Sequence, residues 1–183
     1  MPLPTVDDLK RYLNKTSTAD DAELSDMLDA AVDMVQGLVG PVTSQTVTET
    51  HYGVHSDVVV LRQVPALALS AVSGRTYPGA APTSYTLTDY VLDPDTGLVR
   101  MVSGYQFGGD VTVTYSAGRT TVPAAVSLAI LIIAGHLWNT QRGVSPTALQ
   151  DPEASAFQSP SGYALPNRAL ELLAPFNRGP RIA

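Results

Sequence analysis

The sequence predicts an α+β fold in which a helical bundle carries an inserted antiparallel β-module and a C-terminal helix and tail. Three observations support this prediction. Apolar residues recur at helical spacing up to residue 39, and they alternate with threonine and other β-formers between residues 42 and 118. They then become nearly continuous from residue 122 to 138. We expect the bundle to contain two N-terminal helices and the long apolar helix.

Start and stop signals delimit the helices. Thr18 suits an N-cap, and Gly40-Pro41 suits the end of the helix that follows it. Pro123 suits the first turn of the apolar helix, because its missing N–H would be unpaired at that position anyway. A last short helix contains several leucines. The predicted helices span residues 5–14, 19–39, 123–139 and 166–174.

The β-module over residues 42–118 is predicted to have roughly five or six strands. Pro65 limits pairing, so we expect a strand edge or a bend there. Turn-forming residues over 72–87 predict an exposed hairpin or loop. The chain is expected to divide into one domain over 1–142 and a flexible loop, short helix and tail over 143–183, because 143–163 is rich in Pro, Ser, Ala and Gly.

The composition excludes several function classes. The 183 residues contain no cysteine, which rules out disulfides, thiolate metal sites and cysteine nucleophiles. A net charge of -6 argues against a general nucleic-acid binder. The N-terminus has no basic segment followed by an apolar run, so we expect synthesis in a cytoplasm. The run 122–138 is at the short end of spanning length and holds polar residues, which favours a core or intersubunit helix.

The tripeptide Asp95-Thr96-Gly97 has the form of an aspartic-protease motif. Pro94 precedes it and removes a backbone donor, and the bulky Leu98 follows it. Acidic residues, proline and glycine between two apolar runs are typical of a tight turn. We therefore predict a hairpin turn in which Asp95 bonds local backbone, and we assign no catalytic residue.

Metal and cofactor sites are not predicted. Asp93 and Asp95 begin a calcium-like spacing, but Gly104 occupies the position that needs a glutamate. His51 and His55 are interpreted as surface histidines, and His136 as a helix-end residue. The chain contains no phosphate-binding glycine framework and no nucleophile elbow.

Taken together, the order of these parts resembles the head–tail connector, or adaptor, proteins of long-tailed bacteriophages. The strand end Tyr115-Ser116-Ala117-Gly118, the helix start Val122-Pro123 and the apolar helix ending at Trp138 carry the resemblance. The segments "ELSDMLDAAVDMV" and "ALPNRALELLAPF" support it. The resemblance covers about residues 5–176, and it makes 1–142 the connector domain and 143–183 a docking segment.

The resemblance implies a structural, non-enzymatic virion protein at the head–tail interface, made in the cytoplasm of a bacterial host. Such proteins form a homo-oligomeric ring, commonly twelve-fold, below the portal protein. The ring extends the DNA channel and receives a stopper or tail-completion protein. Double-stranded DNA passes through without sequence-specific binding, and neither a membrane nor a cofactor is involved.

Two groups of residues receive expected roles from this resemblance. A solvated surface is the simpler interpretation of the acidic residues, and the resemblance adds the expectation that some face the DNA channel or an adjacent subunit: Asp20, Asp21, Glu23, Asp26, Asp29 and Asp33. The locally basic C-terminal segment is expected to dock on the portal: Arg168, Leu170, Leu172, Leu173, Phe176, Arg178 and Arg181.

Three alternatives remain open at the level of sequence. The chain could be another neck protein, such as a stopper or tail-terminator, although the two N-terminal helices weigh against that. It could be a dimeric aspartic protease that uses Asp95. It could also be a host protein with the same α-β-α order.

Overall fold

A computed structural model describes residues 2–77, 79–102, 104–141 and 165–177. The predicted loop 143–163 therefore lies outside the described residues. The described chain divides into two compact units, a helical unit and a β unit that occupies residues 40–121. The helices and antiparallel sheets confirm the predicted α+β class.

In its described residues the helical unit contains four α-helices and one short 3₁₀ helix. α1 and α2 precede the β unit in the chain, and α3 and α4 follow it. The elements are α1 Val6–Tyr12, α2 Asp21–Val39, α3 Ala124–Gln141, α4 Asn167–Leu173 and the 3₁₀ helix Ala174–Phe176.

A reciprocal capping box begins α1. The Thr5 hydroxyl accepts a bond from the Asp8 amide at 3.3 Å, and the Asp8 carboxylate accepts one from the Thr5 amide at 2.9 Å. The hydrogen bonds from the Thr5 backbone and side chain lower the pKa of Asp8. This local pairing stabilises a helix of only seven residues, which would be marginal alone.

α3 is the central helix of this unit and packs against α1, α2 and α4. Its Val126, Ile130 and Ile133 are buried, as are Leu24 and Val35 of α2. By length and composition, α3 alone among the described helices could cross a membrane. Because other helices pack around it, we interpret its apolarity as that of a core helix.

The β unit contains seven strands and a 3₁₀ helix at Leu87–Asp89. One sheet has the strand order β1-β7-β3-β4 and the other has the order β2-β6-β5, and every pairing is antiparallel. The strands are β1 Gln45–Val54, β2 Val58–Val60, β3 Ala66–Arg75, β4 Thr83–Tyr85, β5 Tyr90–Asp93, β6 Leu98–Met101 and β7 Gly109–Ala117.

Buried residues of both sheets form one core cluster, which includes Val59 and Val99 of the small sheet and Val113 of the large one. The expected bend at Pro65 separates β2 from β3. Of the two forms expected over 72–87, the hairpin is confirmed, because β3 continues to Arg75 and β4 pairs antiparallel with it. The β3–β4 pairing satisfies backbone groups in a stretch whose composition favours turns.

The two ends of the β unit are tied together at its base. Gln45, at the start of β1, pairs with Ala117, at the end of β7. The Gly118 amide donates to the Pro65 carbonyl at 2.8 Å, and the Arg119 guanidinium donates to the Pro41 carbonyl at 3.1 Å. Gly118 has a φ of +111°, and a Cβ there would lie 2.1 Å from the Thr43 carbonyl oxygen. The base therefore requires glycine at residue 118.

Candidate assembly surfaces

Two of the six predicted acidic residues stabilise the helical unit itself. Lys10 Nζ lies 2.8 Å from Asp21 Oδ1, and Lys15 Nζ lies 2.9 Å from Asp20 Oδ2. The Lys10 residue is only 9% exposed, so its ion pair connects α1 to the first turn of α2 in a sheltered setting. Asp20 and Asp21 therefore have partners in their own chain. Glu23 is partly buried beside them.

The other three predicted acidic residues form one exposed line on α2. Asp26, Asp29 and Asp33 are exposed, and at about 100° per residue they fall within about 60° of one another around the helix. α2 contains five carboxylates and no lysine or arginine. Met34 is 42% exposed, but it lies roughly 80–140° around the helix from the three aspartates and so belongs to a different face of α2. We refer to Asp26, Asp29 and Asp33 as the acidic stripe.

The C-terminal docking set divides into surface and interior residues. Arg168 is exposed and Leu170 is 39% exposed, whereas Leu172 and Phe176 are partly buried. Leu173 is only 2% exposed, and α4 packs on α3. Leu173 is therefore part of the core of the helical unit and not an available docking residue. Arg178 and Arg181 lie outside the described residues.

The small sheet has an outer face that the sequence analysis missed. Cross-strand pairing aligns Val58, Arg100 and Val91 in one row, with Arg100 in the central strand. Val60 is 45% exposed and Val91 58% exposed, and Arg100 is exposed between the two edge strands. A shallow hollow of about 460 Å³ lies on this face.

We call this surface the valine–arginine face. Alternation along β2 and β6 was the available signal, since inward Val59 and Val99 are buried while Val60 and Arg100 are exposed. Strands of three and four residues are too short for the alternation alone to show which side is covered. The valine–arginine face consists of Val58, Val60, Val91, Leu98, Arg100 and Val102.

The large sheet has a different outer face, lined by hydroxyl groups. The Thr48 and Thr114 side-chain oxygens are 3.0 Å apart, and those of Thr50 and Thr112 are 2.9 Å apart. These directly opposed threonine pairs on β1 and β7 stabilise the sheet through cross-strand hydrogen bonds.

The Asp95-Thr96-Gly97 tripeptide lies in the turn between β5 and β6, as predicted. The Asp93 carboxylate accepts from the Asp95 amide at 3.0 Å and from the Thr96 hydroxyl at 2.6 Å. Gly97 has a φ of +71°, and its amide donates to the Asp93 carbonyl at 2.9 Å. The expectation named Asp95 as the capping side chain; the carboxylate that accepts these bonds is that of Asp93.

A polar cluster is enclosed beside the large sheet. Glu49 Oε1 lies 3.1 Å from His51 Nε2 and accepts a bond from the Arg62 amide at 3.0 Å. The fully buried Tyr115 hydroxyl accepts from the Gln63 amide at 3.1 Å. Burial raises the pKa of Tyr115 to about 12. These bonds attach the segment after β2 to β1 and β7.

The interpretation of His51 as a surface histidine is wrong, because its side chain is only 16% exposed and lies against Glu49. His55 is exposed, as expected, and His136 is partly buried. The register irregularity between His51 and Val54 separates the two neighbouring histidines. Within the described ranges, no group of three or more His, Cys, Asp or Glu side chains could hold a metal ion.

Two comparisons with known proteins find a match to this chain. The model of a family described as "Head completion protein" matches residues 2–177. No curated protein matches the chain. Among the solved structures that match is a chain of the "Neck of empty GTA particle computed with C6 symmetry".

That neck chain is 17% identical in sequence, with a TM-score of 0.69. The alignment covers 100% of this chain and 95% of the neck chain, so the two share the same fold throughout. The resemblance to phage head–tail proteins noted in the sequence is confirmed at the level of the family. Because the family model matches nearly the whole sequence, this chain belongs to the head completion protein family.

Proposed function

We propose that the protein is a structural virion component of the head–tail neck. In this proposal it forms a homo-oligomeric ring below the portal, extends the DNA channel and joins capsid to tail. The observation that carries the proposal is the family match over residues 2–177. The full-length likeness to a chain from the neck of a phage-like particle supports it.

The surfaces of the chain suit a ring subunit. A head-to-tail ring needs two different complementary faces on each subunit. The acidic stripe is negatively charged, whereas the valine–arginine face is mainly apolar and carries a positive charge. The two surfaces can therefore form the two sides of such an interface. Neither has the arrangement of a catalytic site, and Asp95 lies in a turn capped by Asp93, so the proposed role is non-enzymatic.

The proposed partners are the portal protein above the ring and a stopper or tail-completion protein below it. Synthesis takes place in the bacterial cytoplasm. Double-stranded DNA passes through the ring, and carboxylates near the channel suit this passage, because a basic lining would bind phosphate strongly. We propose twelve copies, a number consistent with the six-fold symmetry applied to the related neck.

Electron microscopy of the protein mixed with its portal tests the proposed position. The expected result is annular density on the face of the portal from which DNA exits. Density located at the far end of the tail, or binding to tail tubes without portal, would support a tail-terminator instead. A protein that binds neither portal nor tail would contradict the proposal.

The exposed side of α4 is the proposed portal-docking surface, together with Arg178 and Arg181. Deleting the whole C-terminal segment is an ambiguous test, since Ala169 and Leu173 belong to the core. A double variant with Arg168→Glu and Leu170→Ser changes only the exposed side of α4. We expect it to lose portal binding in co-sedimentation while it keeps its thermal midpoint.

Glu171→Gln is the matched control, because Glu171 is an exposed residue on the same helix. It should bind the portal as the unmodified chain does. If the double variant also binds normally, α4 is not the docking surface, although the neck assignment would stand on the microscopy.

A further inference from the structure

Within the ring of the proposed function, on which this inference rests, we propose a specific contact between neighbouring copies. The valine–arginine face of one copy packs on the acidic stripe of the next copy. A sheet face on one subunit meets a helix on the other. In the proposed ring this contact is made head-to-tail and repeats from copy to copy, whereas a two-fold dimer would make it twice and then stop.

The chemistry of the valine–arginine face requires a partner with negative charge. Arg100 lies in the central strand with Val58 and Val91 directly beside it. Within the described residues no carboxylate forms an ion pair with Arg100. Valines flank Arg100 on both sides, and Asp93 lines the edge of the same hollow. An arginine in such a mainly apolar setting is typical of an interface centre, where it gains most from a partner carboxylate as water leaves.

The acidic stripe, in turn, requires a partner with positive charge. Asp26 and Asp29 are three residues apart, and Asp29 and Asp33 are four apart, so like charges are neighbours on the helix surface. α2 itself supplies no cation to offset them. A guanidinium from another copy relieves this repulsion.

The dimensions of the two surfaces also agree. From Asp26 to Asp33 the helix rises about 10 Å. Three strands spaced about 4.8 Å apart make a sheet about 10 Å wide. A helix laid across the small sheet therefore places the middle of the stripe, Asp29, over the central strand, which carries Arg100.

The absence of cysteine makes a cross-linking test direct. A double variant with Ala22→Cys and Val91→Cys places one thiol on the stripe-bearing face of α2, one turn before Asp26, and one on the valine–arginine face; both residues are exposed. A short bis-maleimide applied to the concentrated full-length chain should give a ladder that extends beyond dimers. Each single-cysteine variant should give almost no cross-linked product.

Charge reversal identifies the pairing. In the double-cysteine background, Arg100→Glu should reduce the ladder by at least about tenfold, because like charges then face each other. Asp29→Arg alone should reduce it similarly, and the two reversals together should restore it. Arg75→Glu is the control, since Arg75 is an exposed arginine of the β unit outside this face, and it should leave the ladder intact.

Several outcomes would overturn the proposal. Equal cross-linking of the single-cysteine variants would indicate a two-fold contact. A ladder insensitive to Arg100→Glu, or a combined variant that does not recover, would indicate a different surface. If Arg100→Glu weakened binding to double-stranded DNA and left the ladder unchanged, the arginine would belong to a DNA contact.

Cross-linking and electron microscopy together distinguish failure of this contact from failure of the proposed function. Annular density on the portal without a ladder means that the neck role holds and the contact is wrong. A charge-dependent ladder without any portal-bound ring means that the contact is real and the neck position is wrong.

Discussion

At the residue scale, the hairpin around Asp95 shows how a catalytic-looking tripeptide serves a structural purpose. A protease carboxylate must face a substrate cleft, whereas this segment reverses the chain between two four-residue strands. Asp93 supplies the acceptor oxygens, and Gly97 supplies the left-handed backbone that the turn needs. Turn formation therefore accounts for the Asp95-Thr96-Gly97 tripeptide.

Replacing Asp93 with alanine should destabilise the protein by about 1 kcal/mol, because the turn loses acceptors for backbone and hydroxyl donors. Asp95→Asn, which preserves size, should change stability by less than about 0.5 kcal/mol. Urea unfolding of both variants measures this difference. The protease hypothesis would gain support only if Asp95→Asn abolished a peptidase activity of the unmodified chain.

Tyr115 is the residue with the clearest expected pH signature. Its pKa is raised by burial to about 12, whereas an unfolded tyrosine has a pKa of about 10.0. The folded state therefore retains the phenolic proton where the unfolded state has lost it, and stability declines as pH rises from about 10 to about 12. Below pH 10 this group makes no pH-dependent contribution.

Tyr115→Phe should lower stability at neutral pH by about 1 kcal/mol, because the Gln63 amide loses its acceptor. It should also make stability fall less steeply above pH 10. Urea midpoints measured across that range decide the matter. Tyr90, whose pKa burial also raises to about 12, supplies the remaining slope, so an unchanged slope would contradict the role given to Tyr115.

At the scale of elements, polar contacts secure the N-terminal helix and the linker that follows it. Lys15 Nζ lies 4.3 Å from the centre of the Trp138 ring and also pairs with Asp20. One lysine thereby connects the segment after α1 to both α2 and α3. α1 also approaches α3 closely, since a Cβ on Gly135 would lie 2.9 Å from the Tyr12 ring.

Lys15→Ala should destabilise the helical unit by about 1 kcal/mol, through loss of the cation–π contact and the ion pair. Trp138 is the single tryptophan and is 4% exposed, so its fluorescence reports this unfolding directly. Arg11→Ala is the control, because the Arg11 side chain is 79% exposed. If both variants lost the same free energy of unfolding, Lys15 would contribute no more to stability than the exposed Arg11.

The elements that were predictable from the sequence are those with strong local signals. α2 follows from apolar periodicity, α3 from a nearly continuous apolar run that begins at Pro123, and the β5–β6 turn from Asp, Pro and Gly. The choice between a hairpin and a loop over 72–87 stayed open, because the β3–β4 pairing joins residues such as Gly74 and Thr83 within a turn-rich stretch. The candidate surfaces were only partly predictable, because the lysine partners of Asp20 and Asp21 lie outside α2 and the exposure of Arg100 depends on sheet pairing.

At the scale of the whole molecule, each unit has its own core, and the two units expose side chains of opposite charge. The helical unit uses lysines internally and exposes carboxylates, whereas the β unit exposes arginine on a largely apolar sheet. Two surfaces of opposite character on one chain favour association between copies. Composition alone gave the net charge of -6, but only the fold separates the two surfaces.

The β unit should fold by itself, because residues 40–121 enclose one core built from both sheets. We expect that segment, expressed alone, to unfold cooperatively in urea and to keep Tyr115 protonated to about pH 12. Circular dichroism and tyrosinate absorbance measure the two properties. A segment that titrates all of its tyrosines near pH 10 would contradict this expectation.

The tied base of the β unit has a consequence for the ancestry of such chains. Paired residues on adjacent antiparallel strands lie only about 5 Å apart, so the insertion leaves the helical sequence and returns to it at nearly the same point. A gene segment with that property can be lengthened, shortened or exchanged as a cassette while the flanking helices are inherited unchanged. Relatives that keep the glycine of the base can therefore differ greatly in what they insert above it.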